Sequence, residues 1–314
     1  MKRKKIITFG VPCFNEELNV AKTYEALKKI ASKNKQYDCE YIFVDNGSSD
    51  RTKDEIKKLS KKDKNIIGIC LSRNFGPEAS SQATIDAAKG DAMILYDCDR
   101  QDPPELILEF IKKWEEGYNL VVGIRKKSED NFLMSIARKS FYRILRIVSN
   151  IDIPVDAGNF SLMDRKVIST LQKLLPEKYR FYRGLRAWVG FKTAFIPYKR
   201  RNRKYGSSTQ NLFSYFSYAI RSLFGFSYLP LNITVYIGFI LIIVSFIFII
   251  TYFIQYIFSG KQITNSELLI LLVVSFSGAQ LLAISMIGKY IQVIIEETKN
   301  RPLYLIDEII TQRK

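Results

Sequence analysis

Through its first 125 residues the chain alternates short apolar runs with longer amphipathic ones. Lys5–Val11, Glu40–Asp45, Asn65–Leu71, Ala92–Tyr96 and Asn119–Ile124 read as strands, each bounded by turn residues. Between them lie segments of helical period. The first runs from Glu16 to about Ser32 with Leu18, Ala21, Leu27 and Ile30 on its apolar face. A Lys-rich helix follows Asp50, a third spans Glu78–Lys89, and a fourth runs from Pro103 to about Glu116. Strands alternating with helices of this length predict an α/β, Rossmann-like domain with a mostly parallel sheet covered on both faces.

The pattern then changes. Phe132–Asn150 reads as a basic amphipathic helix, Asp152–Leu162 as a loop entering a short strand, and Tyr179–Phe191 as short helical structure abutting a membrane. Residues 211–228 mix aromatic and aliphatic side chains with a single charge at Arg221, as in a helix lying at an interface. Ser222–Gly260 and Leu268–Gly288 carry no charge at all, and each holds the ~20 apolar residues that cross a bilayer core as a helix. The predicted organisation is a polar α/β domain over 1–210, an interfacial helix over 211–228 and two spans over 229–258 and 268–290. A short external loop (259–267) joins the spans, and a tail (291–314) follows them.

Charge fixes the expected orientation. Lys199, Arg200, Arg201, Arg203, Lys204 and Arg221 precede the first span, and Lys289, Lys299 and Arg301 lie at or past the end of the second, against Lys261 alone between them. The positive-inside tendency puts both flanks and the polar domain in the cytoplasm, on a multi-pass protein of the inner or plasma membrane. A formal net charge of +17 then favours anionic lipid and phosphate substrates over nucleic acid, for which no module signature appears. The chain has no histidine, so no histidine base, histidine metal ligand or serine–histidine triad is available. Cys13, Cys39, Cys70 and Cys98 are dispersed and read as small buried residues of a reduced domain. Gly238, Ser275 and Gly278 offer small-residue faces on which copies of the chain could form a homo-oligomer.

Ligands in parallel sheets bind beyond the carboxyl ends of the strands. Three polar turns fall there: Pro12–Glu16, Asp45–Asp50 and Asp97–Gln101. They are expected to converge on one crevice. Gly10–Phe14 carries no Gly-x-Gly-x-x-Gly loop, which disfavours a dinucleotide-dependent dehydrogenase, and the P-loop pattern is missing too. Asp97 and Asp99, two apart in extended backbone, present carboxylates suited to Mg²⁺ or Mn²⁺. On pattern alone the stretch also reads as an acidic strand-to-helix turn without metal. Asp102 is expected to cap the fourth helix, with Glu105 closing a capping box.

Pro12-Cys13-Phe14-Asn15-Glu16, Val44-Asp45-Asn46-Gly47-Ser48, Asp97-Cys98-Asp99-Arg100-Gln101-Asp102-Pro103-Pro104-Glu105 and Asp156-Ala157-Gly158-Asn159-Phe160 occur in that order. The set resembles the GT-A fold, family 2 glycosyltransferases acting on polyprenyl phosphates, of the GtrB-type bactoprenol glucosyltransferase and dolichol-phosphate mannose synthase kind. The resemblance extends over nearly the whole chain. It implies a nucleoside diphosphate sugar donor, with UDP favoured, and a polyprenyl phosphate such as undecaprenyl phosphate as acceptor. Pro12, Phe14, Asn15 and Glu16 would line the nucleoside pocket, Asp45 and Asn46 would meet the uracil, and Asp97 and Asp99 would face diphosphate and metal. Gln101 would be a further metal-side ligand. Arg125, Arg138 and Arg203 would hold acceptor phosphate or donor diphosphate, and Asp156 would be the catalytic base.

Three positions depart from that pattern: Asn46 replaces a frequent Asp, Phe14 a frequent Tyr, and Thr209 a frequent Lys. A processive polysaccharide synthase would carry a Gln-x-x-Arg-Trp motif that Arg186-Ala187-Trp188 does not match. A catalytically inactive scaffold would not need the intact acidic turn.

Overall fold

A computed structural model describes residues 3–126, 157–173, 182–201 and 266–312, with separate helical positions between 236 and 258. Eight strands form one sheet: β1 (Ile6–Cys13), β2 (Asp38–Asp45), β3 (Ile66–Leu71), β4 (Ala92–Leu95), β5 (Leu120–Lys126), β6 (Ala157–Asp164), β7 (Thr193–Lys199) and β8 (Ile306–Thr311). Their spatial order is β7-β5-β6-β4-β1-β2-β3-β8. The centre, β4-β1-β2-β3, is parallel as the alternation predicts. β6 runs antiparallel between β4 and β5, and β7 joins the edge parallel to β5.

The helices are α1 (Val20–Ala31), α2 (Thr52–Lys62), α3 (Pro77–Ala87), α4 (Leu106–Glu115), α5 (Arg165–Lys173), α6 (Tyr182–Trp188) and α7 (Ser266–Thr298). Central strands are apolar on both faces because both are covered. Tyr41 and Phe43 of β2 pack in one core with Tyr24, Leu27, Ile56 and Phe110 from α1, α2 and α4. Ile42 and Val44 pack in the other with Ile85, Val167, Ile168 and Leu185 from α3, α5 and α6. The period-2 side-chain alternation of a strand assigns each residue to its layer. The four cysteines are free; Cys13, Cys70 and Cys98 are buried and Cys39 partly so.

Two expectations are corrected. The fourth helix begins at Leu106, and Asp102 does not cap it: the helix has Glu105 at its cap position with no side-chain bond. Pro103 to Leu106 form a turn ahead of the helix, the Pro103 carbonyl accepting from the Leu106 N–H at 3.2 Å; Asp102 lies before that turn and is fully buried in the protein. The C-terminal segment is not a free tail either. Residues 306–311 return as β8 and pair antiparallel with β3. Lys53 reaches Asp307 at 3.1 Å and Glu308 at 3.0 Å, and Lys57 reaches Glu308 at 3.0 Å, tying β8 to α2.

Among the described residues one helix is long and apolar enough to cross a membrane, with Phe276–Ile295 of α7 as its apolar stretch and none of it buried in the protein. α7 runs on to Thr298, past the expected limit at 290. Most of the expected first span lies outside the described residues. The positions described within it are helical, and Ile240, Ile243, Ile247, Ile250, Ile254 and Ile257 among them are exposed.

Candidate functional site

Because β4, β1 and β2 are adjacent and parallel, their carboxyl ends open side by side, and the turns that follow them are bonded together. The Asn46 N–H donates to Cys13 O at 2.9 Å. Asn15, held at φ +54, donates its N–H to Ser48 Oγ at 2.9 Å and accepts from the Ser49 N–H at 2.9 Å. The Glu16 N–H donates to Thr52 Oγ1 at 2.8 Å, and the Thr23 hydroxyl donates to Cys98 O at 3.0 Å. Cys13 sits where the turns meet: burial first, then Cys98, Glu16 and Asp45, push its thiol well above the ordinary range. The convergence expected of Pro12–Glu16, Asp45–Asp50 and Asp97–Gln101 is therefore present.

On the β1–β2 side, Pro12 lies within β1 in register with Val44, Cys13 ends the strand, and Phe14 is half-buried just beyond it. The buried Glu16 carboxylate accepts from Asn19 Nδ2 at 2.6 Å. Asp45 closes β2, buried, and accepts from the Ser48 N–H at 3.1 Å; burial raises its carboxyl above the usual range, against the Ser48 bonds that lower it. Asn46 is wholly engaged: its Oδ1 accepts from the Phe75 N–H at 3.0 Å, and its Nδ2 donates to Asn74 Oδ1 and Gly76 O at 3.0 and 3.1 Å. It fastens the loop after β3 across the end of the sheet. Gly47, at φ +67, makes the turn, and a Cβ there would lie 2.4 Å from the Arg73 backbone.

On the β4 side the chain leaves the strand through Asp97 and Asp99. Asp99 Oδ1 accepts from the Gln101 N–H at 3.1 Å, and its Oδ2 accepts from Arg200 Nη2 at 3.2 Å. Asp97 has no hydrogen-bond or ion-pair partner among the described residues. Burial, then the charges of Asp102 and Asp99, push its carboxyl up to about 6, against Arg125 and Arg200, which lower it. Gln101 is tied to the segment after β7: its carbonyl accepts from the Arg201 N–H at 2.8 Å and its Nε2 donates to Arg201 O at 3.3 Å.

Beneath this turn lies a network that sequence reading missed. Asp102 Oδ1 accepts from the Tyr198 hydroxyl at 2.5 Å, and the Asp102 carbonyl accepts from the Tyr96 hydroxyl at 2.6 Å. Arg125 Nε donates to the Tyr198 oxygen at 3.3 Å, and Arg125 Nη2 stands 3.9 Å from Asp102 Oδ2. Arg200 Nε stands 3.5 Å from Asp102 Oδ1. The Arg125 guanidinium lies against Gly158 of β6, where a Cβ would come within 3.1–3.3 Å of it. Arg186 of α6, buried, donates to Gly158 O at 2.7 Å, Asn159 O at 3.1 Å and Ser161 Oγ at 2.6 Å, bracing that strand. Arg125 is thus brought beside the acidic turn, whereas Asp156, Arg138 and Arg203 lie outside the described residues. Thr193–Lys199 alternates inward Ile196 and Tyr198 with outward neighbours, a period-2 signal that would have put Arg200 at a strand tip.

The donor set fits a hard divalent cation. Asp97 and Asp99 offer carboxylate oxygens, and the burial and neighbouring acidic charges that disfavour the ionised Asp97 would be offset by a cation. Among the described residues no three His, Cys, Asp or Glu side chains gather as a full cage. Few protein ligands are what Mg²⁺ or Mn²⁺ uses when phosphates complete its shell.

The family model described as "Glycosyl transferase family 2" matches residues 8–172. An uncharacterized glycosyltransferase of Bacillus subtilis, YkcC, is 38% identical over 309 residues, covering 98% of this chain and 95% of the relative. A prophage bactoprenol glucosyl transferase homolog of Escherichia coli is 34% identical over 304 residues, covering 96% and 99%. The bactoprenol glucosyl transferase of Shigella phage SfII is 34% identical over 301 residues, covering 96% and 97%. With a paired-carboxylate turn at the mouth of a mostly parallel sheet and a family match over more than half its length, this chain belongs to the family 2 glycosyltransferases.

Proposed function

We propose that the enzyme moves a sugar from a nucleoside diphosphate sugar, with UDP as the nucleoside diphosphate, to a polyprenyl phosphate such as undecaprenyl phosphate at the cytoplasmic leaflet. The observation that carries this reading is the meeting of the Asp97–Asp99 turn with Arg125 and Arg200 at the carboxyl ends of the central strands. Pro12, Phe14, Asn15, Glu16, Asp45 and Asn46 line the nucleoside end. Asp97 and Asp99, with Gln101 near them, hold Mg²⁺ or Mn²⁺, which as a Lewis acid spreads the charge developing on the leaving diphosphate. Arg125, Arg138 and Arg203 hold phosphate oxygens. The acceptor phosphate, with a second pKa near ~6, is largely dianionic at neutral pH and already nucleophilic. Asp156 therefore orients it or takes a residual proton. A single in-line displacement inverts the anomeric centre.

The chain's topology supports the membrane half of the reading. β7 precedes the apolar region and β8 follows it, yet both lie in one sheet. A chain that leaves a domain and returns to it crosses a bilayer an even number of times. If α7 crosses once, a second crossing must lie within 202–265, where the uncharged run and the exposed isoleucines are. The names of the bactoprenol glucosyl transferases point to the same class of acceptor.

The test uses the full chain in detergent or nanodiscs with a panel of nucleoside diphosphate sugars and a short polyprenyl phosphate. Product that requires Mg²⁺ or Mn²⁺, is lost with chelator and is lost in Asp99→Asn supports the reading. Transfer that survives chelation, or the absence of lipid-linked product from every donor, overturns it. Retention at the anomeric carbon would remove the single displacement.

A further inference from the structure

The network around Asp102 is left unsaturated in a particular way. Asp102 Oδ1 is taken by the Tyr198 hydroxyl, whereas Asp102 Oδ2, buried, has no hydrogen-bond partner among the described residues. Arg200 Nε is likewise buried without one among the described residues, 3.5 Å from Asp102 Oδ1. Among the described residues the Arg200 guanidinium makes one hydrogen bond, at 3.2 Å to Asp99 Oδ2, the carboxylate expected to hold metal. Buried donors of a charged group are rarely left open, and each such atom asks what completes it. Within this set three carboxylates, Asp97, Asp99 and Asp102, face two guanidiniums, Arg125 and Arg200. One negative charge is left over, and a divalent cation would turn it into one positive charge. The loaded set is then positive where the empty set is negative, which favours an anionic group such as a diphosphate.

The backbone allows the guanidinium to move while keeping it in reach. Arg200 directly follows β7, and its neighbour Arg201 is locked to the acidic turn by the bonds to Gln101 and by Arg201 Nη2 to Glu105 at 3.0 Å. The Arg200 side chain is 28% exposed, so its fork is not enclosed. A planar guanidinium with several donors in a fixed fork suits phosphate oxygens better than one carboxylate corner.

We propose that Arg200 is a further diphosphate-binding residue of the donor site, parked on Asp99 until that carboxylate takes a divalent cation, whereupon its fork turns to the substrate's phosphate oxygens. This rests on the metal-dependent transfer proposed above. In the empty site Arg200 and the cation compete for Asp99. In the loaded site they act together on the same anion.

The two halves have opposite signs and are measured by binding, without turnover. Mn²⁺ binding to the full chain in nanodiscs is followed by electron paramagnetic resonance with no nucleotide present. UDP binding is then followed calorimetrically at saturating Mn²⁺. Arg200→Gln removes the competitor and the ligand together. It is expected to bind Mn²⁺ tighter and UDP weaker, each by roughly tenfold, the scale of one charge-assisted hydrogen bond. Arg200→Lys keeps the charge and loses the fork; it is expected to leave Mn²⁺ affinity near wild type while weakening UDP. A glutamine variant with unchanged Mn²⁺ affinity, or either variant with wild-type UDP affinity, overturns the proposal and assigns Arg200 to bracing the turn. If the wild type itself binds no Mn²⁺, or Asp99→Asn binds it as well, the metal reading fails first and the proposal falls with it.

Discussion

Tyr198→Phe isolates one buried bond with little change of shape. The Tyr198 hydroxyl is the hydrogen-bond donor to Asp102 Oδ1, at 2.5 Å, and it accepts from Arg125 Nε at 3.3 Å. Asp102 is fully buried and Tyr198 is 4% exposed, so water does not replace the lost group. Asp102 Oδ2 already lacks a hydrogen bond, and the phenylalanine variant leaves the carboxylate with guanidiniums at 3.5 and 3.9 Å and no hydroxyl. A hydrogen bond to a charged buried group contributes about 1.5–3 kcal/mol. The phenyl ring fills the same space, so no cavity adds to the loss. A loss of about 2 kcal/mol in a domain of this size lowers the midpoint of thermal unfolding by roughly 4–8 °C. Burial first, and then Asp102, push the Tyr198 hydroxyl well above the ordinary range, so it stays protonated and the difference should be flat between pH 6 and about 9. The assay is thermal unfolding of the full chain in detergent, wild type against variant, at several pH values. A variant melting within about a degree of wild type would show that this bond does not hold the acidic turn, and the account of Asp102 would fail.

Two further outcomes follow from the same geometry. Gly158→Ala puts a methyl 3.1–3.3 Å from the Arg125 guanidinium, which must give by a few tenths of an ångström. Stability should change by less than ~1 kcal/mol, while KM for donor or acceptor should rise by roughly fivefold to tenfold if Arg125 holds phosphate as proposed, because misplacement of a binding group is felt in binding; an unchanged KM for both would mean that Arg125 touches neither. For topology, single cysteines at Gln262 and at Gln312 should react with impermeant thiol reagents from opposite sides of sealed inverted vesicles, with Gln312→Cys on the catalytic side. Labelling of both from one side would contradict the hairpin.

The centre of the fold was legible because its causes are local. β1 to β5 and α1 to α4 each carry their own period and their own turn residues, and a buried parallel sheet needs nothing else to be recognised. What escaped depends on distant partners. β8 is a run of six residues, Ile306–Thr311, with exposed Ile306 and Ile309. It is a strand because β3 offers an open edge and Lys53 and Lys57 meet Glu308. β6 was legible as a short strand, but its antiparallel insertion between β4 and β5 is set by the sheet rather than by its own residues.

The same division runs through the site. Asp97, Asp99 and Asp45 lie where strand ends and turn residues mark them in the sequence. Asp102 was misassigned because Asp-Pro-Pro-Glu matches a helix cap locally, and the local rule lost to a tertiary one. Tyr198 arrives from a strand 96 residues later and offers a buried hydroxyl to the carboxylate. No cap of ~1 kcal/mol competes with a charge-assisted bond in a dry interior. The carboxylate turned inward then draws Arg125 from β5 and Arg200 from beyond β7 to the underside of the acidic turn. Asp102 is therefore the buried anion around which these two guanidiniums are arranged. A lone carboxylate in the sequence gave no hint of that role, since it exists only once β5, β7 and the turn after β4 have closed on one another.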